Sequence, residues 1–257
     1  MVLHAYEWGD ADAPPVVCLH GVVAHGRRFR RLAEERLTPA YRVLAVDLRG
    51  HGFSTWEPPW TLGQHLDDVV ETLVSHGIDG ADFIGHSFGG RLTLELTARG
   101  FVRRAVLLDP VVWAPPPIAL QRAEAERAER AFATPEEALE ARAPTAVLAP
   151  RELLEEEVRD HLIQGEDGRW RWRYLQSAVV TAYGELAQRP PPWERLRIPT
   201  LLVAGTQSDV VPDTVVDVLR HELGEALEVA LVPGGHIPLW DAYDETADAV
   251  TRFLERS

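Results

Sequence analysis

Short apolar runs rich in β-branched residues recur along the chain, each bounded by turn formers. "PVVCLHG" (15–21), "YRVLAVDLRG" (41–50), "ADFIGHS" (81–87), "RRAVLLDP" (103–110), "IPTLLVAG" (198–205) and "LEVALVPGG" (227–235) read as strands. Their apolar character is nearly continuous rather than alternating, the pattern of strands buried on both faces of a parallel sheet. Helical periodicity fills the intervals 27–37, 62–76, 88–99, 212–223 and 240–255. A further, antiparallel strand is expected near residues 2–8. Strands alternating with helices predict an α/β fold, a doubly wound and mostly parallel sheet of about eight strands.

Residues 113–195 break this alternation. They open on "WAPPPIAL", continue through helix-like stretches such as "PRELLEEEVRDHLI" and "RWRYLQSAVVTAYGELA", and close on "RPPPWERLRIP". The prolines forbid continued helix there, and the sheet pattern resumes at residue 198. The expected organisation is a core of residues 1–112 and 196–257, with 113–195 inserted as an all-helical cap.

Composition narrows the functional class. With 46% hydrophobic and 26% charged residues over 257 positions, the chain reads as an ordinary globular protein able to enclose a site. A formal net charge of −14 argues against nucleic acid and anionic membrane surfaces, both of which call for basic patches. All 26 basic residues are arginine, a coding bias rather than a binding signal. The single cysteine, Cys18, lies in an apolar run and reads as a small buried hydrophobe. The opening "MVLHAYEWGDADAPP" shows neither a basic n-region nor an apolar h-region, so a cytoplasmic location is expected. Metal-ligand spacings and phosphate-cradling glycine loops are not found, so neither metal nor cofactor is expected.

The candidate chemistry centres on "FIGHSFGG" (83–90). Ser87 follows a predicted strand and opens a predicted helix, the context of a nucleophile elbow, with Gly85 and Gly89 relieving a tight turn. A serine hydroxyl needs a base, which in such an architecture follows the acid near the chain's end. His221 sits among charged helix residues; His236, in "VPGGHIPLW", lies in a loop after the last strand and is the expected base. Two aspartates lie upstream of it, one in the loop after a strand and one ending a strand. Asp209, in "AGTQSDVVP", is taken as the acid, with Asp109, in "VLLDPVV", as its rival. The backbone N–H groups of Phe88 and of Val22, in "HGVVAHG", are the expected oxyanion donors. His20 is expected to brace that loop by hydrogen bonding, and His86 to be a bystander. Trp113 and Trp172 are candidates for lining the substrate pocket.

In order along the chain, "HGVV", "VDLRGHGFS", "GHSFGG", "GTQSDVVP" and "GGH" resemble the motifs of the α/β-hydrolase superfamily, in the branch whose helical cap lies between its sixth and seventh strands. The resemblance spans nearly the whole chain. It implies a serine carboxylesterase-like enzyme acting on a small-molecule ester or lactone, without cofactor. It also implies that Asp47 and His51 are structural. A serine at the elbow separates this chain from relatives with an aspartate there. Asp209 stands four residues past Gly205, where many relatives have three. Two other hypotheses carry weight. One is carbon–carbon bond hydrolysis of a vinylogous diketone, with Arg171 or Arg173 holding an acidic substrate; the other is a non-catalytic ligand receptor.

Overall fold

A computed structural model describes residues 1–128 and 130–256. The strands are β1 (Ala5–Trp8), β2 (Pro15–Leu19), β3 (Arg42–Val46), β4 (Ala81–His86), β5 (Val102–Leu108), β6 (Leu162–Gln164), β7 (Trp170–Trp172), β8 (Thr200–Gly205) and β9 (Leu227–Val232). Seven of them form one sheet in the order β1-β3-β2-β4-β5-β8-β9, one strand fewer than expected. All neighbours are parallel except β1, which pairs antiparallel with β3. The α-helices are α1 (Arg30–Leu32), α2 (Leu62–Ser75), α3 (Phe88–Ala98), α4 (Pro116–Ala125), α5 (Pro135–Arg142), α6 (Arg151–His161), α7 (Gln176–Glu185), α8 (Asp213–Leu223), α9 (Pro238–Asp241) and α10 (Tyr243–Leu254).

Helix α2 shows how the pattern becomes structure. Thr61 caps it by accepting from Gln64 N–H at 3.3 Å, and Leu62, Leu66, Val69 and Leu73 form one buried stripe. Gly77, at φ +72°, follows its end. Each such leucine, fully buried, contributes about 1.5–3 kcal/mol. Val17, Leu19, Leu44, Phe83 and Leu107 pack on one side of the sheet with α2 and α3. Val16, Cys18, Val43, Ile84 and Val106 pack on the other with α10, so the central strands are apolar on both faces.

The strand order places the site. After β2 the chain moves outward to β3, then crosses back to β4 and continues to β5 on the opposite side. The connections leaving β2 and β4 therefore diverge, and a crevice opens at their carboxyl ends, the switch point where α/β sheets bind ligands.

Between β5 and β8 lie α4–α7 and the antiparallel pair β6–β7. The insertion is thus not all-helical, because a "GEDG" turn separates two short apolar runs and Trp170 N–H and C=O also exchange hydrogen bonds with Phe132. Its own core joins Leu139, Leu154, Val158 and Trp172 to Ile237 and Trp240 of the main body. The insertion's two crossings meet at Arg91 of α3, which is fully buried. Its guanidinium donates to Val112 O, Gln188 O and Arg189 O, each at 2.9 Å.

Candidate active site

Ser87 sits at the junction of β4 and α3 with φ +55° and ψ −114°, a conformation that costs on the order of 1–3 kcal/mol for a side-chain-bearing residue. The surroundings hold it there: Ser87 N–H donates to Leu108 O, and Val111 N–H to Ser87 O, both at 3.1 Å. The glycines are steric necessities. A Cβ on Gly89 would stand 2.0 Å from Leu19 O, and one on Gly85 2.4 Å from Gly89 O.

His236 lies in the loop after β9. Its Nε2 is 2.9 Å from Ser87 Oγ, and its Nδ1 is 2.6 Å from an oxygen of Asp109. With the carboxylate as acceptor, Nδ1 carries the proton and Nε2 faces the serine as acceptor. The loop is fixed from two directions. His86 Nε2–H donates to His236 O at 2.8 Å, and Asp241 accepts from Gly235 N–H at 2.7 Å. Burial, then the neighbouring His236, hold His86 well below the usual imidazole range, so it is a neutral donor. His86, expected to be a bystander, thus holds the His236 backbone in place.

The acid expected from sequence is corrected. Asp209 is not in contact with His236; its side chain is 77% exposed and pairs with Arg122 at 3.0 Å. Asp109, fully buried at the end of β5, faces the imidazole instead. Its φ of +43° turns the carboxylate back across the sheet edge. Ser208 Oγ donates to it at 2.5 Å and Gly205 N–H at 3.2 Å. The β8 loop points Ser208 inward and the next residue outward, so the loop presents a hydroxyl and not its carboxylate. The sequence held a hint but no decision: a carboxylate ending so apolar a run must find buried partners, yet it does not say which ones.

The loop after β2 lies against the serine, since a Cβ on Gly21 would stand 3.1 Å from Ser87 Cβ. His20 Nε2 accepts from Leu48 N–H at 2.9 Å, which leaves Nδ1–H to donate to Gly21 O at 2.8 Å. Burial, and then His51, keep this imidazole uncharged. In a trans peptide C=O and N–H point opposite ways, so anchoring Gly21 O turns Val22 N–H away from the His20 ring. His51 Nε2 lies 2.5 Å from Val22 O. Phe88 is the first residue of α3, where N–H groups have no intrahelical acceptor. Asp47 accepts from Gly26 N–H and Phe53 N–H, a loop-tying role.

The two tryptophans expected at the substrate pocket have these surroundings. Trp113 is 45% exposed, with its indole donating to Ala187 O at 3.1 Å. Trp172 is consumed in the insertion's core, edge-on to Phe132 and beneath Arg142. Arg171 pairs with Asp167, and Arg173 lies over Phe53, so neither arginine is placed at the serine.

Comparison with known proteins agrees with this architecture. The sequence profile described as "Alpha/beta hydrolase family" matches residues 16–249. The chain is 32% identical to "Lipase LipV" of Mycobacterium tuberculosis over 249 residues, covering 91% of each protein. It is 29% identical to "Esterase YbfF" of Escherichia coli over 251 residues, covering 94% of this chain and 92% of that one. Among solved structures, "E-2-(Acetamidomethylene)succinate Hydrolase" superposes with a TM-score of 0.87 at 23% identity, over 99% of this chain and 95% of that one; this likeness is one of fold. Among the described residues no helix is long and apolar enough to cross a membrane.

Proposed function

Because the chain belongs to the alpha/beta hydrolase family, we propose that it is a serine hydrolase of carboxylic esters, with Ser87 as nucleophile, His236 as base and Asp109 as the acid. The observation that carries this is the unbroken hydrogen-bonded chain from Ser87 Oγ through His236 to a buried Asp109. The names of the relatives, a lipase and an esterase, support esters as the substrate class. The 113–195 segment is read as the cap over this site.

His236 Nε2 takes the Ser87 proton as the oxygen attacks the ester carbonyl. The developing oxyanion is received by the N–H groups of Val22 and Phe88, each worth about 3 kcal/mol in the transition state. Collapse expels the alcohol with the proton from His236 and leaves an acyl-Ser87 ester. Water, deprotonated by His236, then releases the acid and restores the serine. Throughout, Asp109 holds the imidazole in one tautomer and stabilises its charged form.

Turnover of short-chain p-nitrophenyl esters and covalent labelling by a fluorophosphonate test the reading. Ser87→Ala is expected to abolish both; retention of full turnover in that variant would overturn it.

A further inference from the structure

Helix α6 of the cap carries Glu157, which is 3% exposed and stands at the centre of a buried ionic cluster. Arg28 Nε donates to one of its oxygens at 3.0 Å and Arg28 Nη2 to the other. His25 Nε2 lies 3.0 Å from the carboxylate, and His161, stacked on His25 with ring centroids 4.3 Å apart, approaches at 3.5 Å. Burial alone would push this carboxyl up, but Arg28, His25 and His161 outweigh it and hold it well below the usual range.

His25, Glu157 and His161 are ligand-type residues within 4.8 Å of one another. A dication is nevertheless a poor occupant. Arg28 already engages both carboxylate oxygens, and a second guanidinium, Arg142, stands 3.7 Å away. Two fixed positive charges would face it against one carboxylate.

The cluster's position gives it another meaning. His25 and Arg28 follow directly on the loop that carries Val22, and Arg142 of the cap donates to Val23 O at 3.2 Å. Outside the cluster, Arg27 pairs with Asp160 at 3.0 Å and Arg30 with Glu156. Arg28 also lies over the Trp240 ring, 4.4 Å from its centroid, in the helix that follows His236. Thus one face of α6 grips the segment that immediately follows the oxyanion loop. Buried charges of this kind are unforgiving of displacement, since each leaves a partner unpaired.

We propose that Glu157 is a positioning residue that couples seating of the cap to alignment of the Val22 N–H. When α6 is seated, Glu157 draws His25 and Arg28 together and Arg142 holds Val23, so the Val22 peptide keeps its orientation. With those anchors gone, only His20 at Gly21 O and His51 at Val22 O hold the peptide, and the donor drifts out of alignment. This rests on the ester-hydrolase reading for its kinetic consequence, but not for its structural one.

The experiment compares wild type, Glu157→Gln, Glu157→Asp and Glu155→Gln, an exposed change on the same helix. Each is assayed on an ester and on its thionoester, whose sulfur accepts hydrogen bonds poorly and so reports donor alignment. For Glu157→Gln, kcat on the oxygen ester is expected to fall on the order of 10²-fold, as for a lost donor, with KM within about threefold. The oxygen-to-sulfur rate ratio should fall with it, Glu157→Asp should recover part of both, and Glu155→Gln should match wild type. If Glu157→Gln does not fold, Glu157→Asp carries the comparison. A fall in activity with an unchanged oxygen-to-sulfur ratio would overturn the proposal. Amide hydrogen exchange over residues 20–29 is the readout independent of activity. Faster exchange in the Glu157 variants supports the coupling even if the wild type hydrolyses no ester, a result that would sink only the functional reading; unchanged exchange overturns the coupling itself.

Discussion

Two neighbouring strands, β5 and β8, release loops at the same edge of the sheet, each with an aspartate, and the two carboxylates have opposite surroundings. Asp109 is fully buried, left-handed in φ, and accepts from a backbone N–H, a serine hydroxyl and the imidazole. Asp209 is exposed and pairs at 3.0 Å with Arg122, which is itself exposed. A buried carboxylate with three donors is held in one geometry; a solvated one is screened and free to move. The β8 loop still matters to the site, but through Gly205 and Ser208, which orient the carboxylate of the other strand. Proximity in the fold assigns less than the direction in which a turn points each side chain.

The contrast can be broken by substitution at its two ends. Asp109→Asn is expected to lower kcat by about 10⁴-fold, since the amide no longer enforces the right imidazole tautomer. Asp209→Asn should leave kcat/KM within about twofold. Comparable losses in both, measured by ester turnover, would erase the distinction. Ser208→Ala sharpens it: loss of one hydrogen bond to a charged acceptor, about 1.5 kcal/mol, should reduce kcat roughly tenfold. If Ser208→Ala is silent, the β8 loop contributes nothing to the acid.

Acid sensitivity extends the same contrast between dry and wet groups. His65 is fully buried against Phe88, and desolvation pushes its pKa down from 6.5 to about 3. The unfolded chain therefore takes up a proton below pH 6.5 that the folded chain refuses. Its contribution to stability is complete above that pH and is lost as pH falls toward 3. Urea unfolding of His65→Leu across this window should show a slope shallower by about 1.4 kcal/mol per pH unit than wild type. An unchanged slope would mean that His65 charges freely in the folded state. The smallest effect concerns the solvated end: Arg122→Ala, which frees Asp209, should move Tm by less than about 2 °C in a thermal melt.

What was legible in the sequence was what local rules decide. The elbow at Ser87 needs glycines at fixed offsets and a strand-to-helix switch, all within "FIGHSFGG", and His236 follows from chain order and its glycine-rich loop. The central strands were legible because both faces are apolar. The choice between Asp109 and Asp209 was not, because it hangs on a positive φ at Asp109 and on the turn that sends Ser208 inward, neither of which leaves a mark in residue type. The β6–β7 pair escaped for a related reason. Strands of three residues are too short to show a period, and "RWRYLQ" reads equally well as the start of the helix that begins only at Gln176. The roles of Trp113 and Trp172 escaped because an indole packs into an insertion's core or surface as readily as it lines a pocket.

The guanidinium of Arg91 carries a last consequence. It fastens the outgoing chain at Val112 and the returning chain at Gln188 and Arg189 through carbonyl oxygens alone. A carbonyl is the same whatever residue bears it, so this attachment is indifferent to the sequence it secures. Whatever side chains lie between those points, both seams are held in register by one buried group that reads only backbone.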